Sequence, residues 1–146
     1  MPGTIPYEPS NIFAKILRGE IPCHRVYEDE HTLAFMDIMP QAEGHTLVIP
    51  KSPSRNLLDA DPTTFMWLMP VVQKIARAVK RAFHADGVRV FQFNETAAGQ
   101  TVFHLHFHVV PVKEGVELGP HAVDHKDGST LAHHADMIRE ALKFVS

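Results

Sequence analysis

Apolar and polar positions along this chain change period several times, and each change marks an element. From Pro62 onward, Phe65, Leu68, Val72, Ile75, Val79 and Phe83 recur at spacings of three and four, which predicts a helix over 62–84 with one apolar face. Asp59-Ala-Asp61-Pro62 supplies its start, with proline where a first turn tolerates it, and Ala85-Asp86-Gly87 supplies its end. Pro70 falls inside the pattern and lacks an interior donor, so a kink or a break is expected there. A shorter helix carries Ile12, Phe13, Ile16 and Leu17, capped by Ser10 or Asn11 and stopped at Gly19. A last helix bears Leu131, Ile138, Leu142 and Val145, with Ser129 or Thr130 as its cap.

Between the helices the period falls towards two. Val26–Glu28 and Thr32–Asp37 read as short strands turning at Asp29–His31, and His45–Ile49 reads as a third strand closed by Pro50. Val88–Asn94 is a fourth strand, and His104–Pro111 a fifth, joined by the loop Glu95–Phe103. That loop is long for a hairpin connection, a length that marks functional loops. Residues 1–9 read as a flexible N-terminal arm and 113–128 as irregular chain within a C-terminal extension, 113–146, that belongs to the same domain. Strands in the middle with helices beside them predict an α+β fold, an antiparallel sheet of about five strands flanked by one short and one long helix.

Composition excludes more than it proposes. At 146 residues, 45% hydrophobic and 21% charged, the chain is sized for one domain with a real core. A net charge of −3 without a basic block argues against nucleic acid as a partner, while a small nucleotide can be held by local dipoles. One cysteine, Cys23, leaves no intrachain disulfide; no run approaches the ~20 apolar residues of a membrane span, and no leader pattern opens the chain. The expectation is a cytoplasmic protein.

The histidine strand carries the chemistry. In His104-Leu-His106-Phe-His108-Val-Val the imidazoles fall on one strand face, neighbouring Cα atoms roughly 6.6–6.8 Å apart, with Leu105, Phe107 and Val109 turned to a core. A metal site is one reading of three such imidazoles. The other is nucleophilic catalysis, favoured because no Asp or Glu interrupts the segment and three alternate residues span too far for one compact tetrahedron. The middle residue, His106, is then the nucleophile, one ring nitrogen oriented by a carbonyl and the other attacking. His104 and His108 steady the oxygens of a phosphorus electrophile, and Gly99-Gln100-Thr101 bring amides and polar side chains alongside.

These residues resemble the signature of the histidine triad family. The resemblance extends in order through Asn11-Ile-Phe13, Glu20-Ile-Pro22, Ala34-Phe-Met-Asp37-Ile38, Gly44-His45-Thr-Leu-Val-Ile-Pro-Lys51 and Asn94-Glu to Gly99-Gln100-Thr101-Val, covering residues 10–112. It implies a homodimer that binds a purine nucleoside monophosphate moiety (AMP or GMP) and hydrolyses or transfers at the α-phosphorus through a nucleotidyl-histidine, with no cofactor. By position, His106 is the nucleophile, His108 and Gln100 hold phosphate oxygens, and Asn94 and Gly99 contact the phosphate or leaving group. His45 and His104 line the proton network, Thr101 protonates the leaving group, Asp37 accepts the ribose hydroxyls, and Ile12, Phe13, Phe35 and Ile38 wall the base pocket. Some bacterial members bind zinc through Cys-x-x-Cys at the first helix; here those positions are Asn11 and Ala14, so no metal is expected. A third triad histidine, His108, favours hydrolysis over transfer. Competing readings are a nucleotide-binding adaptor with vestigial catalysis and a metal-dependent hydrolase. His121, His125, His133 and His134 read as exposed polar residues, His24, His31 and His84 as surface, and Met66, Trp67 and Met69 as core or dimer contacts.

Overall fold

The computed structural model describes residues 5–120 and 125–145. Five antiparallel strands form one sheet in the order β1-β2-β3-β5-β4: β1 Arg25–Glu28, β2 Thr32–Met36, β3 Thr46–Pro50, β4 Gly87–Phe91 and β5 Phe107–Val112. Helix α1, Ile12–Leu17, lies on one face of the sheet; α2, Thr64–Ala82, and α3, Gly128–Leu142, cover the other. The fold is α+β, as the patterning predicts.

Both faces of the central strands are covered, which is why β2 and β3 are buried at every residue. Ala34, Met36, Val48 and Val109 pack under α2 and α3, while Leu33, Phe35, Leu47 and Ile49 pack with Phe13 and Ile16 of α1. Register aligns Phe35, Leu47, His108 and Phe91 in one row across four strands on the α1 face. Opposed residues in a ladder share a face, so the four side chains of this row lie on the same side of the sheet as α1.

Several elements differ from expectation for local reasons. The histidine strand begins at Phe107, so His104 and His106 precede it. Leu105 donates its N–H to Ser54 O at 2.8 Å instead of to a ladder neighbour, and the β3–β5 pairing ends at Val48–Phe107. The imidazoles are buried, His104, His106 and His108 being 0%, 7% and 2% exposed. Strand β4 ends at Phe91 rather than Asn94. Helix α2 runs unbroken through Pro70, which is exposed, as is Met66 one turn earlier, so the helix bond that proline cannot donate falls on its outer side. Asp61 caps a turn through Thr63 before α2 begins at Thr64, and Asp127, not Ser129 or Thr130, caps α3. Asn11 caps α1, its side chain accepting from Ala14 N at 2.9 Å.

The C-terminal extension is part of the core. Leu131, Ala135 and Ile138 are at most 2% exposed and pack with Leu68, Val72 and Ile75 of α2. His134, expected at the surface, is buried edge-on against Phe83, ring centroids 5.2 Å apart. His125 and His133 are exposed as expected, and His121 lies outside the described residues. Met66, Trp67 and Met69 are exposed, so none is core; Trp67 stacks on His31 at 4.3 Å.

Candidate active site

An apolar cleft opens between α1 and the sheet. Ile12, Phe13 and Ile16 form one wall, Ile21, Pro22 and Cys23 close one end, and Phe35, Ile38, Met39 and Leu47 face them. Asp37, Thr101, His106 and His108 border the same cleft. The four residues expected around a base are therefore together, with Ile12 and Ile38 half-exposed. Ile16, Ile21, Cys23 and Leu47 escaped the sequence reading, although Ile16 shares the helix spacing of Ile12 and Leu47 the strand register of Phe35.

Backbone partners, whose roles are fixed, assign the imidazole tautomers. The His106 Nδ1–H donates to its neighbour's backbone, His104 O, at 2.6 Å, which places the lone pair of that ring on Nε2. Phe13 meets the His106 ring edge-to-face at 4.9 Å, fixing its plane. Gln41 N–H donates to His45 Nδ1 at 3.0 Å, so a neutral His45 carries its proton on Nε2. That N–H donates to His108 Nδ1 at 2.9 Å, which leaves His108 with an Nε2–H donor. Phe91 stacks on His108 at 4.6 Å, and the His106 and His108 rings lie 5.0 Å apart. The arrangement yields one basic ring nitrogen beside one donor nitrogen.

His104 acts differently from the expected network member. Its Nε2–H donates to Pro50 O at 2.8 Å and its Nδ1 accepts from Tyr7 Oη at 2.7 Å. It supports His106 through its carbonyl, and burial pushes its pKa below the ordinary histidine value, partly offset by Pro50 O. The Tyr7 contact also anchors the segment read as a flexible arm. His45 supports His108, its Nε2 2.9 Å from His108 Nδ1.

Asp37 accepts from Met39 N at 2.8 Å through Oδ1, and its Oδ2 lies 3.4 Å from His45 Nε2. Burial pushes its carboxyl up to about 6. Asn94, Gly99 and Gln100 do not border the cleft. Gln100 is 2% exposed and committed at both ends: its Nε2 donates to Arg55 O and Val102 O, and its Oε1 accepts from Glu95 N and Asn56 Nδ2. Its side chain shapes the loop. Asn94 pairs its amide with Gln92 and accepts from Leu57 N at 2.9 Å. Gly99 takes φ +102° to close a short 3-10 turn over 96–98 ahead of Thr101.

Fold and site together define an α+β protein with a histidine-bordered ligand cleft on one face of its sheet. Residues 18–115 match the HIT domain, and the chain belongs to that family, whose members are nucleotide hydrolases and transferases. Its structure is similar to that of a Hit-like protein involved in cell-cycle regulation from Bartonella henselae, solved with an unknown ligand (57% identity, TM-score 0.88, 93% of this chain and 99% of that one). It is also similar to a Zn-bound histidine triad family protein from Mycobacterium smegmatis (39% identity, TM-score 0.80, 92% and 94%). Adenylylsulfatase HINT3 of Arabidopsis thaliana is 38% identical over 103 residues, 70% of this chain and 52% of that protein.

The zinc of the mycobacterial neighbour makes the donor sets here worth testing. Asp37, His45 and His108 each place one ligand atom within 4.8 Å of the others. Yet the Gln41 amide occupies His45 Nδ1, so Nε2 bears a proton where a metal needs a lone pair. At the first helix Asn11 is spent as a cap, Ala14 offers a methyl, and Cys23 lies across the cleft wall. These residues do not fit a metal.

Proposed function

We propose that this chain hydrolyses nucleoside 5′-monophosphate conjugates at the α-phosphorus, with His106 as the nucleophile. The observation that carries the reading is the His106 Nδ1–H held on His104 O, which makes Nε2 the attacking atom at the polar end of an apolar cleft. A purine fits between Ile12, Phe13, Phe35 and Ile38, and the ribose hydroxyls donate to Asp37.

The His106 Nε2 lone pair forms a bond to phosphorus as the bond to the leaving amine or phosphate oxygen breaks. The departing atom takes its proton from the Thr101 hydroxyl or from His108 Nε2–H, and the latter otherwise donates to a phosphate oxygen. The His106 ring, cationic in the adduct, keeps its Nδ1–H on a carbonyl that stabilises the charge. Water then attacks phosphorus, the P–N bond to His106 breaks, and the proton of the water restores the donor used in the first step.

His106→Gly is expected to lose turnover of an adenosine phosphoramidate by several orders of magnitude while AMP binding survives, and the wild-type enzyme quenched in mid-turnover is expected to carry a nucleotide on residue 106. Wild-type rates in the variant would overturn the assignment. We further infer that the working unit is a homodimer: β4 is an edge strand with Val90 44% exposed, and α2 turns Met66 and Met69 outward.

A further inference from the structure

We propose that Arg55, Asn56 and Glu95 form a clamp that positions the loop from Asn94 to Thr101 over the reacting phosphorus; this deepens the reading of the same site given above and rests on it. The three residues border no part of the cleft, and nothing in the histidine motif points to them. Their contacts are of a kind that positions. Arg55 grips the Glu95 carboxylate in bidentate fashion, Nε to Oε2 at 2.9 Å and an Nη to Oε1 at 2.8 Å. Asn56 Nδ2 adds a third hydrogen bond to Glu95 Oε2 at 2.6 Å and a further one to Gln100 Oε1 at 3.1 Å. The Arg55 guanidinium lies over the Phe103 ring at 4.1 Å, so the chain on both sides of the loop is held by one side chain.

The backbone shows why a clamp is required. Glu95 adopts φ +78°, a conformation that side-chain-bearing residues rarely take, between Asn94 and the turn that leads to Thr101. Its carbonyl accepts from Ala98 N and Gln100 N, and its amide donates to Gln100 Oε1 at 2.7 Å. Leu57 N donates to Asn94 Oδ1 from the same 55–57 segment. The strained residue is therefore fixed by its carboxylate, and the two polar side chains at the ends of the loop, Asn94 and Thr101, take their positions from it. Hydrogen bonds from Arg55 and then Asn56 hold the Glu95 carboxyl below its usual range, so the grip is ionic throughout the neutral region.

The roles of these three as positioning residues separate phosphate recognition from nucleoside recognition. Arg55→Ala, Glu95→Ala and the double variant are assayed for turnover of an adenosine phosphoramidate and for binding of AMP and of adenosine. Each single variant is expected to lower kcat on the order of 10²-fold and to weaken AMP, while adenosine, which lacks the phosphate the loop is placed to hold, binds nearly as in wild type. The double variant is expected to be no worse than either single one, since both remove one device. Glu95→Gln keeps an oxygen for Asn56 or Arg55 and is expected to recover part of the lost kcat; it carries the test if the alanine variants do not fold. Wild-type kcat in the singles, additive losses in the double variant, or equal weakening of AMP and adenosine would overturn the clamp. Should wild type form no adduct on His106 while Arg55→Ala still loses AMP selectively, the clamp stands as a phosphate-binding device and the hydrolase reading fails.

Discussion

Asp37 borders the cleft and lies beside His45 of the imidazole chain, and it does so at a cost. Burial raises its carboxyl to about 6, opposed by the Met39 amide, whereas the unfolded chain titrates near an ordinary aspartate at about 3.9. A folded-state pKa above the unfolded one means that the native protein binds the extra proton, so its stability falls as pH rises from about 4 through about 6 and stays lower above that. Two units correspond to about 3 kcal/mol at neutral pH. Asp37→Asn, which keeps an acceptor for Met39 N, is expected to be more stable than wild type in urea melts by about 1–3 kcal/mol at pH 8. The advantage should shrink by about half at pH 5 and nearly vanish at pH 4. A gap independent of pH would mean that the carboxyl is not desolvated. In the ribose-binding role proposed for Asp37 the hydroxyls donate to the ionised form, so nucleotide affinity in the wild type is expected to decline below about pH 6.

At the scale of elements, Gly44 decides how β3 delivers His45. Its φ is +88°, and an added Cβ would stand 2.5 Å from the buried Phe83 ring. The next residue anchors both ends of the preceding loop, His45 O accepting from Asp37 N and His45 Nδ1 from Gln41 N. Gly44→Ala is expected to cost about 1–3 kcal/mol in thermal or chemical unfolding, with Phe83→Leu in the same chain restoring part of it. Melting at the wild-type midpoint would show that the close approach is not real. Such a contact is invisible in a sequence, because nothing in Gly44-His45 announces a ring 39 positions away. The long helix was legible, since six apolar residues at helical spacing leave little choice. The histidine row was legible as a cluster but misread as one strand, because alternation assumes a ladder and Leu105 pairs with Ser54 instead. His134 was readable and missed: it lies three residues after Leu131 and four before Ile138, on the stripe that faces α2. The ion pair between Arg55 and Glu95 has no periodic signature, and only the fold brings it together.

For the molecule as a whole, the β4 side of the sheet is the less covered one among the described residues. β1 is followed by a tight turn and flanked by α3, whereas β4 is an edge strand whose residues are partly or fully exposed, Val90 among them. The edge carries one exposed charge, Arg89, beside the exposed β-branched Val90 and no proline, so its backbone can still pair with a further strand. A second copy presenting the same edge closes by a two-fold axis, pairs both β4 edges and leaves only the β1 edges, which α3 flanks, at the ends of the joined sheet. Wild-type protein is therefore expected to scatter light at twice the subunit mass at micromolar concentrations. Val90→Lys places like charges opposite each other across the axis and is expected to shift the mass towards one subunit, with the shift reduced at high salt. The substituted side chain is solvent-exposed within a subunit, so its melting temperature measured below the dissociation range should change little. A wild-type mass of one subunit at every concentration would assign the edge to something other than a copy of this chain, and an undisturbed dimer in Val90→Lys would move the interface to the Met66 and Met69 face of α2.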